Sequence, residues 1–437
     1  MKKNINIAIV GLGNIGSRLY KEIISKKKDI GLKTNTNINI VAISAKNINK
    51  KRNFIVRKNI FFKNPLHITK NSKVDIVIEL IGSSDGISKK VVESALKNKK
   101  HVITANKALI SKHGDILTAI AERNRVNLEF EAAVGGGIPV LRTIKDGLAT
   151  NKINKVVGIL NGTSNYILSQ MQKTKKSFKN VLKEAQKLGF AEANPKFDLD
   201  GSDVLAKIRI LSSLSFNNKI SKNICLTNGI ENIELKDIDM AEKLNLRVKL
   251  LGITEIINNK LFERVHPCLI KKDNYIANID GVMNAVILEG NPVGKSVLQG
   301  EGAGSGPTSS ALMSDLLSIL RGNIKFPFGI PSNKRKKIIS YDQNLYSNSL
   351  YLRLEVKDKP GVLSQITKQL AKYKISIERL IQIPDQKRKR ASIVIITHKA
   401  KELNSSKCLK LFKSNKNVLK TPILIRLFYN GNIYQAF

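Results

Sequence analysis

The N-terminal sequence holds the feature that most constrains the fold, a Gly-x-Gly-x-x-Gly motif between a strand pattern (residues 5–10) and a helix pattern (residues 17–24). The first glycine of such a motif permits a tight turn, the second lets the backbone approach a pyrophosphate, and the third lets helix and strand pack closely. The helix N-terminus suits phosphates because its N–H groups are free. A purely structural turn is the alternative. The pattern predicts a dinucleotide-binding α/β domain with cofactor contacts at Gly11, Gly13, Asn14, Ile15 and Gly16.

The residues after the second predicted strand bear on which dinucleotide binds. NAD-binding domains of this type carry an acid there, because its carboxylate binds the ribose 2′-OH. Here residues 38–43 are followed by Ser-Ala-Lys, ending at Lys46, and a basic Lys-Lys-Arg run at 50–52 comes close behind. A 2′-phosphate suits this environment better, so Lys46 is a predicted cofactor contact and NADP(H) is favoured over NAD(H). The alternative is that these lysines only reflect the lysine-rich composition.

Alternating strand and helix patterns continue to about residue 137. Residues 75–82 and 101–104 have strand patterns, and residues 88–97 between them place apolar side chains on one helical face. Lys107 follows the strand pattern of 101–104, and ligands of open α/β sheets bind beyond the carboxyl ends of strands. We therefore expect Lys107 to reach a substrate or the cofactor, with one more solvated lysine as the alternative. Residues 1–137 are the predicted Rossmann-type nucleotide-binding domain.

Three consecutive glycines, 135–137, end the segment that begins as a strand at residue 128. Such a run indicates close backbone approach or exposed carbonyl groups. Those carbonyls, with Glu131, could hold a hard cation through oxygen. A structural turn is the alternative.

The densest polar cluster lies between residues 185 and 203. Gly189 ends a predicted helix, Pro195 breaks the chain, and a new helix begins near Ser202. Asp203 and Lys207 are four residues apart and so share one face of that helix. A carboxylate and an ammonium group at a helix start can bind an amino acid and move a proton. The alternative is an exposed ion pair worth a few tenths of a kcal/mol.

A second glycine-rich loop, residues 300–308, leads into an apolar helix pattern. Because both features repeat those of the first loop, we expect helix 305–322 to pack back onto the first domain, near the cofactor. A passive hinge is the alternative. The intervening residues, 138–304, are the predicted α+β domain for substrate binding and dimerisation.

The C-terminal part has its own pattern. Residues 331–349 are polar and basic and are interpreted as a linker. Residues 350–437 follow with a β-α-β-β-α-β order, which predicts a ferredoxin-like domain. A small module behind a linker indicates regulation or oligomerisation more than chemistry.

The net charge of +41, from 75 Lys and Arg against 34 Asp and Glu, invites a nucleic-acid function. The charges are spread along the chain, Trp is absent and aromatic residues are 5%, so basic residues interleaved with stacking rings are missing. The bias towards Lys, Asn and Ile is typical of A/T-rich codons. We therefore expect a solvated basic surface and no nucleic-acid partner.

The remaining composition indicates a cytoplasmic protein. The three cysteines have neither metal-type nor redox spacing. The N-terminal apolar run is too short for a signal peptide, and no stretch approaches the roughly 18 apolar residues of a membrane span. We expect no membrane partner.

With these motifs assembled, the chain resembles the homoserine dehydrogenases that carry a C-terminal ACT domain, over essentially its whole length. The most specific stretch runs from Ala185 to Lys207 and follows the family signature position by position. Residues 104–107, Thr-Ala-Asn-Lys, and residues 158–168 are also family-like. Residues 358–363, Asp-Lys-Pro-Gly-Val-Leu, are similar to the usual opening of an ACT domain.

The resemblance implies NAD(P)H-dependent interconversion of aspartate 4-semialdehyde and homoserine, in the biosynthesis of threonine, methionine and isoleucine. A hydride reaches the aldehyde carbon, and a proton must reach the developing alkoxide. By this resemblance Lys207 donates the proton, and Lys107 stabilises negative charge or assists the transfer. Glu192 and Asp203 hold the amino end of the substrate.

The resemblance also implies further ligand contacts. Gly189 and Gly302 lie along the cofactor, as Lys107 does. A structural sodium ion is held mostly through backbone oxygens, at Glu131, Val134, Gly136 and Ile138. The ACT domain implies feedback control, typically by threonine, at sites that form where ACT domains pair, with Gly361 beside the ligand. A homodimer or homotetramer is expected.

Overall fold

The computed structural model describes residues 2–48, 50, 52, 54–322, 324–385 and 389–428. Lys51 of the basic run and residues 429–437 of the predicted C-terminal domain lie outside the described residues. Over these ranges, no helix is long and apolar enough to cross a membrane.

The first domain is a five-stranded parallel sheet in the order β2-β1-β3-β4-β5. Its order reverses between β1 and β3, which is where doubly wound sheets bind ligands. The elements are β1 (Lys3–Val10), α1 (Asn14–Ser25), α2 (Lys27–Thr34), β2 (Thr36–Ser44), α3 (Pro65–Lys70), β3 (Ile76–Glu79), α4 (Ile87–Lys97), β4 (His101–Thr104), α5 (Lys107–Arg123) and β5 (Leu128–Glu129).

Both faces of this sheet are covered, which is why its strands are apolar without alternation. In β1, Ile7 and Ile9 face the core that includes α1, whereas Ala8 and Val10 face the core that includes α4 and α5. All four side chains are fully buried. The predicted Rossmann-type α/β fold of the first domain is therefore confirmed.

The second region adds an antiparallel sheet with helices packed on it. Its elements are α6 (Val140–Arg142), β6 (Lys152–Ile159), α7 (Gly162–Thr174), α8 (Phe178–Lys187), α9 (Lys196–Leu199), α10 (Ser202–Ser215), β7 (Leu226–Thr227), α11 (Leu235–Lys243), β8 (Leu246–Ile257), β9 (Lys260–Lys271), β10 (Met283–Asn291), β11 (Gly294–Glu301) and α12 (Ser305–Leu320).

Two contacts of this region position the site described below. Helix α10 lies close on β8, because a Cβ on Gly252 would come within 2.8 Å of Val204 Cγ1. Helix α12 returns to the first domain, where Leu312 and Leu316 share a core with Ile7 and Ile9. The domain boundaries at residues 137 and 304 stay predictions.

The C-terminal region has the β-α-β-β-α-β order that the sequence predicts. Its sheet order β17-β13-β15-β14 is that of a ferredoxin-like domain. The elements are β12 (Ser347–Asn348), β13 (Leu350–Lys357), α13 (Val362–Lys372), β14 (Ile377–Asp385), β15 (Arg390–Thr397), β16 (Ala400–Lys401), α14 (Glu402–Ser414) and β17 (Ile423–Phe428).

The C-terminal domain joins the second region edge to edge. Strand β17 pairs in parallel with β9, with Arg426 opposite Cys268, so both sheets form one ten-stranded sheet. The segment interpreted as a linker, 331–349, packs on the two preceding regions, and Tyr341 N donates to the Leu261 carbonyl of β9 at 2.7 Å. Its Arg335 is 2% exposed, and its guanidinium lies 3.9 Å from the Phe328 ring centroid and 2.8 Å from an Asp115 carboxylate oxygen.

Candidate active site

The glycine-rich loop after β1 has three glycines in three different environments. A Cβ on Gly11, which has φ +109°, would lie 2.6 Å from the Leu80 carbonyl oxygen. A Cβ on Gly16 would lie 2.0 Å from the Gly11 carbonyl oxygen, whereas one on Gly13 would meet nothing within 4 Å. Gly11 and Gly16 are therefore required by packing, and Gly13 faces open space.

Helix α1 begins at Asn14, beside that open space, with no side-chain cap on its first N–H groups and no acid in its first turn. Unsatisfied N–H groups at a helix start bind phosphate. The loop residues Asn14 and Ile15 lie in this first turn. The arrangement fits the pyrophosphate of a dinucleotide.

A cleft of about 520 Å³ opens beside this loop, and its walls include Gly13, Asn14, Lys50 and Arg52. Arg52 Nη2 donates to the Asn47 carbonyl at 2.8 Å, and its Nη1 donates to two further carbonyls of residues 48 and 50. Arg52 thus braces the loop after β2. Lys46 is exposed in the same loop.

The three predicted catalytic side chains meet, although they come from two domains. Lys107 starts α5 and places Nζ 2.7 Å from Asp203 Oδ1, and Lys207 on α10 places Nζ 2.7 Å from Asp203 Oδ2. Lys207 also donates to the Leu160 carbonyl at 2.6 Å. The Lys107 side chain is 36% exposed, against 9% for Lys207 and 2% for Asp203. One buried carboxylate is therefore shared by two ammonium groups, and the more exposed ammonium is that of Lys107.

The two lysines have pKa values shifted in opposite directions. Burial lowers the pKa of Lys207, and the positive charge of Lys107 lowers it further, so that the attraction of Asp203 does not restore it. Burial also disfavours the charged form of Lys107, but the attraction of Asp203 is stronger than the effect of burial and raises the pKa of Lys107. Burial disfavours the charged Asp203 as well, but both lysines hold the pKa of its carboxyl well below the usual range. Lys107 thus remains a cation, and Lys207 is the more readily deprotonated.

A buried carboxylate fixes the start of α5. Glu79, at the end of β3, accepts from Thr104 Oγ1 at 2.7 Å and from Ser88 Oγ at 2.8 Å. Asn106 then caps α5 by accepting from Leu109 N and donates to the Ser83 carbonyl. These bonds tie the ends of β3 and β4 together and set the position from which Lys107 reaches Asp203.

The sequence interpretation did not assign a chemical role to Asn161, which holds two carboxylates of the site. Its Nδ2 lies 2.8 Å from Asp198 Oδ1 and 2.9 Å from Asp203 Oδ2, while its Oδ1 caps α7 at Ser164 N. Thr163 Oγ1 donates to the Phe190 carbonyl and, at 3.2 Å, to Asp198 Oδ2. The signal that could have found Asn161 is its place two residues after β6, beyond a strand's carboxyl end.

The predicted contacts in the 189–192 loop lie on the open side of the site. Glu192 is exposed. Burial lowers the pKa of Lys107, and the charge of Glu192 helps Asp203 and Asp198, whose effects are larger, to raise it. Gly189 has φ +77° and would place a Cβ in open space. The Phe197 ring lies beneath Lys107, with Nζ 6.0 Å from the ring centroid.

Gly302 lies in a dense contact between the loop 300–308 and the three glycines 135–137. A Cβ on Gly302 would lie 1.9 Å from the Asn284 amide nitrogen, and one on Gly136 would lie 2.6 Å from the Gly302 carbonyl oxygen. Gly306, in the first turn of α12, lies beside Arg18 of α1. The loop at 300–306 therefore does return to the nucleotide-binding domain.

The predicted sodium ligands form a tight turn. The Glu131 carboxylate accepts from Leu141 N and Arg142 N, both at 2.8 Å, so it caps α6. The Ile138 carbonyl accepts from Val140 N, and the Glu131 carbonyl accepts from Val134 N at 3.3 Å. In the described part of the chain, no group of three or more His, Cys, Asp or Glu side chains could hold a metal.

Comparison with known proteins gives a consistent result. The homoserine dehydrogenase family model matches residues 139–317, the homoserine dehydrogenase NAD binding domain model matches residues 11–131, and the ACT domain model matches residues 350–415. The homoserine dehydrogenase of Neisseria gonorrhoeae is 38% identical over 433 residues, covering 97% of this chain and 99% of that protein.

Similar solved structures are also homoserine dehydrogenases. The homoserine dehydrogenase of Thiobacillus denitrificans has a TM-score of 0.89 at 35% identity and covers 98% of both chains. A hyperthermophilic archaeal homoserine dehydrogenase in complex with NADPH has a TM-score of 0.60 at 22% identity, covering 74% of this chain and 100% of that one. At 22% identity, the similarity to the archaeal protein shows a shared fold and no more.

The dinucleotide loop and the shared carboxylate define a nicotinamide-dependent oxidoreductase, here joined to an ACT domain. The relatives described above match nearly the whole chain, and they belong to one family. The chain belongs to the homoserine dehydrogenase family. It interconverts aspartate 4-semialdehyde and homoserine, a reaction of amino-acid biosynthesis.

Proposed function

We propose that this homoserine dehydrogenase uses NADPH in preference to NADH and that Lys107, Asp203 and Lys207 carry the proton chemistry of the reaction. The observation that carries the proposal is the buried Asp203 carboxylate with one lysine on each oxygen. The bound cofactor supplies the hydride. The side chains supply charge, orientation and the proton.

Lys207 is the proton donor in the reducing direction. Its lowered pKa makes transfer to a developing alkoxide easier than from an ordinary lysine, and Asp203 and the Leu160 carbonyl fix the direction of its ammonium group. Lys107 keeps its charge because its pKa is raised, so it stabilises the negative oxygen electrostatically.

The amino end of the substrate meets carboxylates. Glu192 is exposed near Lys107 and is accessible to a substrate ammonium group. Both oxygens of Asp203 already contact lysines, so a substrate ammonium reaches Asp203 only by competing with Lys107, the more exposed of the two. Binding of substrate at Asp203 would thus also move Lys107 towards the reacting carbonyl.

The cofactor contacts are Gly11, Gly13, Asn14, Ile15 and Gly16, with Gly189 and Gly302 farther along the cofactor and Lys107 near its reacting end. NADP preference is supported by the lack of an acid directly after β2 and by the basic cleft wall of Lys50 and Arg52, with Lys46 exposed in the same loop. An archaeal relative of the same fold is in complex with NADPH.

The remaining assignments are part of the same proposal. A sodium ion would bind the backbone oxygens of the 131–138 turn. Threonine would act as a feedback effector through the ACT domain, and the enzyme would work as a homodimer or homotetramer.

Initial rates of aspartate semialdehyde reduction with NADPH and with NADH test the proposal. We expect a higher kcat/KM with NADPH, and a loss of this preference in Lys46→Ala. Lys207→Ala should lose about 10²–10⁴-fold in kcat. Lys187→Ala, an exposed lysine of α8, is the matched control and should retain the rate. Full activity in Lys207→Ala, or a preference for NADH, would contradict the proposal.

A further inference from the structure

The carboxyl ends of three neighbouring strands lie at one level in the first sheet. Val10 of β1, Glu79 of β3 and Thr104 of β4 stand side by side in register, and β3 is the middle strand. We call these three strand ends the crevice floor. The glycine-rich loop follows β1, and Lys107 follows β4. A ligand that extends from that loop to Lys107 must therefore cross the end of β3, at Glu79.

The segment after β3 is held from both sides. A Cβ on Gly11 of the glycine-rich loop would lie 2.6 Å from the Leu80 carbonyl oxygen, and Leu80 N donates to the Val10 carbonyl at 2.7 Å. On the other side, Asn106 Nδ2 donates to the Ser83 carbonyl at 2.7 Å. The middle of the crevice floor therefore has a fixed position relative to both loops that a dinucleotide would contact.

Four neutral groups donate to the carboxylate of Glu79, which is fully buried. Its Oε1 accepts from Ile81 N at 2.7 Å, from Ser88 Oγ at 2.8 Å and from Gly82 N at 3.4 Å. Its Oε2 accepts from Thr104 Oγ1 at 2.7 Å. Within the described part of the chain, none of these donors is a cation. A charge held in this way acts over a longer distance than a surface charge, because the interior screens it weakly.

The directions of the hydrogen bonds indicate that Glu79 is ionised. Asn106 N donates to Thr104 Oγ1 at 3.0 Å, and Asn106 Nδ2 donates to Ser88 Oγ at 2.9 Å. A hydroxyl group has a single proton, so each of these oxygens accepts from Asn106 and donates its own proton to Glu79. All four bonds therefore run towards the carboxylate, which is the pattern of a group that only accepts.

We infer that the buried charge of Glu79 favours the oxidised over the reduced form of the bound cofactor. A nicotinamide ring is positively charged when oxidised and neutral when reduced, so an anion in the crevice floor attracts only the oxidised ring. The same attraction stabilises the positive charge that develops as the hydride leaves. This inference rests on the proposed function, because it needs the reacting end of the cofactor near Lys107. If Glu79 only held the loop in place, its charge would not affect this balance.

Glu79→Gln removes the charge and keeps the shape. Its amide oxygen can still accept from Ile81 N and Ser88 Oγ, and its amide nitrogen can donate to Thr104 Oγ1. The measurement is the Kd of NADP⁺ and of NADPH, by calorimetric titration of the full chain without substrate. We expect the ratio of the NADP⁺ to the NADPH Kd to rise by about tenfold. Glu93→Gln, which removes a half-buried carboxylate of α4, is the matched control and should leave the ratio unchanged.

A second variant keeps the test decisive if Glu79→Gln does not fold. Ile81 is 36% exposed and lies two residues after Glu79, so Ile81→Lys adds the opposite charge near the crevice floor without opening the core. The ratio of the two Kd values should rise here as well. Ile81→Gln is polar without charge and should keep the ratio of the wild type.

The inference is overturned if Glu79→Gln changes both Kd values by the same factor or changes neither, or if Ile81→Lys leaves the ratio as in Ile81→Gln. The same titrations with NAD⁺ and NADH separate this result from the proposed function. Tighter binding of NADH than of NADPH would contradict the proposed cofactor preference, whereas the effect of Glu79 would still be measured as the ratio for that pair.

Discussion

At the scale of single residues, the site depends on three charged groups whose protonation states are coupled. Two ammonium groups repel each other and share Asp203, and the one with less access to solvent has the lowered pKa. Burial therefore separates two chemically identical side chains, which in the proposed mechanism are a fixed cation, Lys107, and a proton carrier, Lys207.

This coupling predicts a shift in the pH dependence of homoserine oxidation. In the proposed mechanism, oxidation needs neutral Lys207, so kcat should rise with pH through the pKa of Lys207, which lies below its ordinary value. In Lys107→Gln the repulsion is lost and Asp203 pairs with Lys207 alone, so the pKa of Lys207 rises and the ascending limb moves to higher pH. The measurement is kcat against pH at saturating substrates. Lys112→Gln, an exposed lysine of the same helix, should leave the limb in place; a limb that moves to lower pH in Lys107→Gln would refute the coupling.

Asn161 is a positioning residue whose contribution can be separated from its helix cap. Asn161→Ala removes two hydrogen bonds to carboxylates and one to Ser164 N. Hydrogen bonds to charged groups are worth about 1.5–3 kcal/mol, so kcat/KM for aspartate semialdehyde should fall about 10- to 100-fold. Asn161→Ser keeps a capping oxygen, so its Tm should stay near that of the wild type while kcat/KM still falls. If only Tm changes in either variant, Asn161 has no role beyond the cap.

At the scale of elements, the loop between β1 and α1 contains one glycine that folding requires and another that leaves room for a ligand. Gly16 is required because the Gly11 carbonyl occupies the place of its Cβ, whereas Gly13 has φ −74° and open space around it. The same element therefore contains one glycine needed for packing and one that leaves room for a ligand.

We predict opposite effects for alanine at these two positions. Gly13→Ala should raise the KM for NADPH and leave the Tm within error, because its methyl group would occupy only space open to the cofactor. Gly16→Ala should cost about 1–3 kcal/mol of stability through overpacking. Thermal unfolding and cofactor titration distinguish the two. Equal losses of stability in both variants would show that Gly13 is also packed.

At the scale of the whole molecule, the ACT domain is tied to the catalytic region by more than the sheet. Arg353 of β13 is 3% exposed and makes a two-pronged contact with Asp237 of α11, with Nη2 2.9 Å from Oδ2. The Tyr351 hydroxyl donates to the same carboxylate at 3.0 Å. The catalytic region therefore covers the β13 part of the ACT sheet on the face opposite the ACT helices.

Breaking this pair should destabilise the enzyme. Arg353→Leu leaves Asp237 buried without its cation, which costs about 3–5 kcal/mol. Lys33→Leu removes an exposed pair with Asp29 and should cost about 0.5 kcal/mol or less. The measurement is denaturant unfolding of the full chain. The double variant Arg353→Leu/Asp237→Leu should recover part of the lost free energy of unfolding. If Arg353→Leu loses no more stability than Lys33→Leu does, the argument is contradicted.

Local patterns in the sequence were sufficient for the elements and for much of the site. The first glycine-rich loop, the start of α10 at Ser202 and the ferredoxin-like order of the last domain all follow from signals between near neighbours. Asp203 and Lys207 could be paired because a helix places residues four apart on one face. Such features depend on backbone geometry within a few residues.

Only the tertiary structure decided which distant groups meet. Asn161 contacts Asp203, and Arg426 stands opposite Cys268, although no local signal joins either pair. Arg335 lies in a basic stretch typical of a linker, yet it is buried among Asp115, Asn218 and the Phe328 ring. The physical reason is that a sequence states the charge of each side chain, whereas its burial and partner depend on how sheets and helices pack across the whole chain.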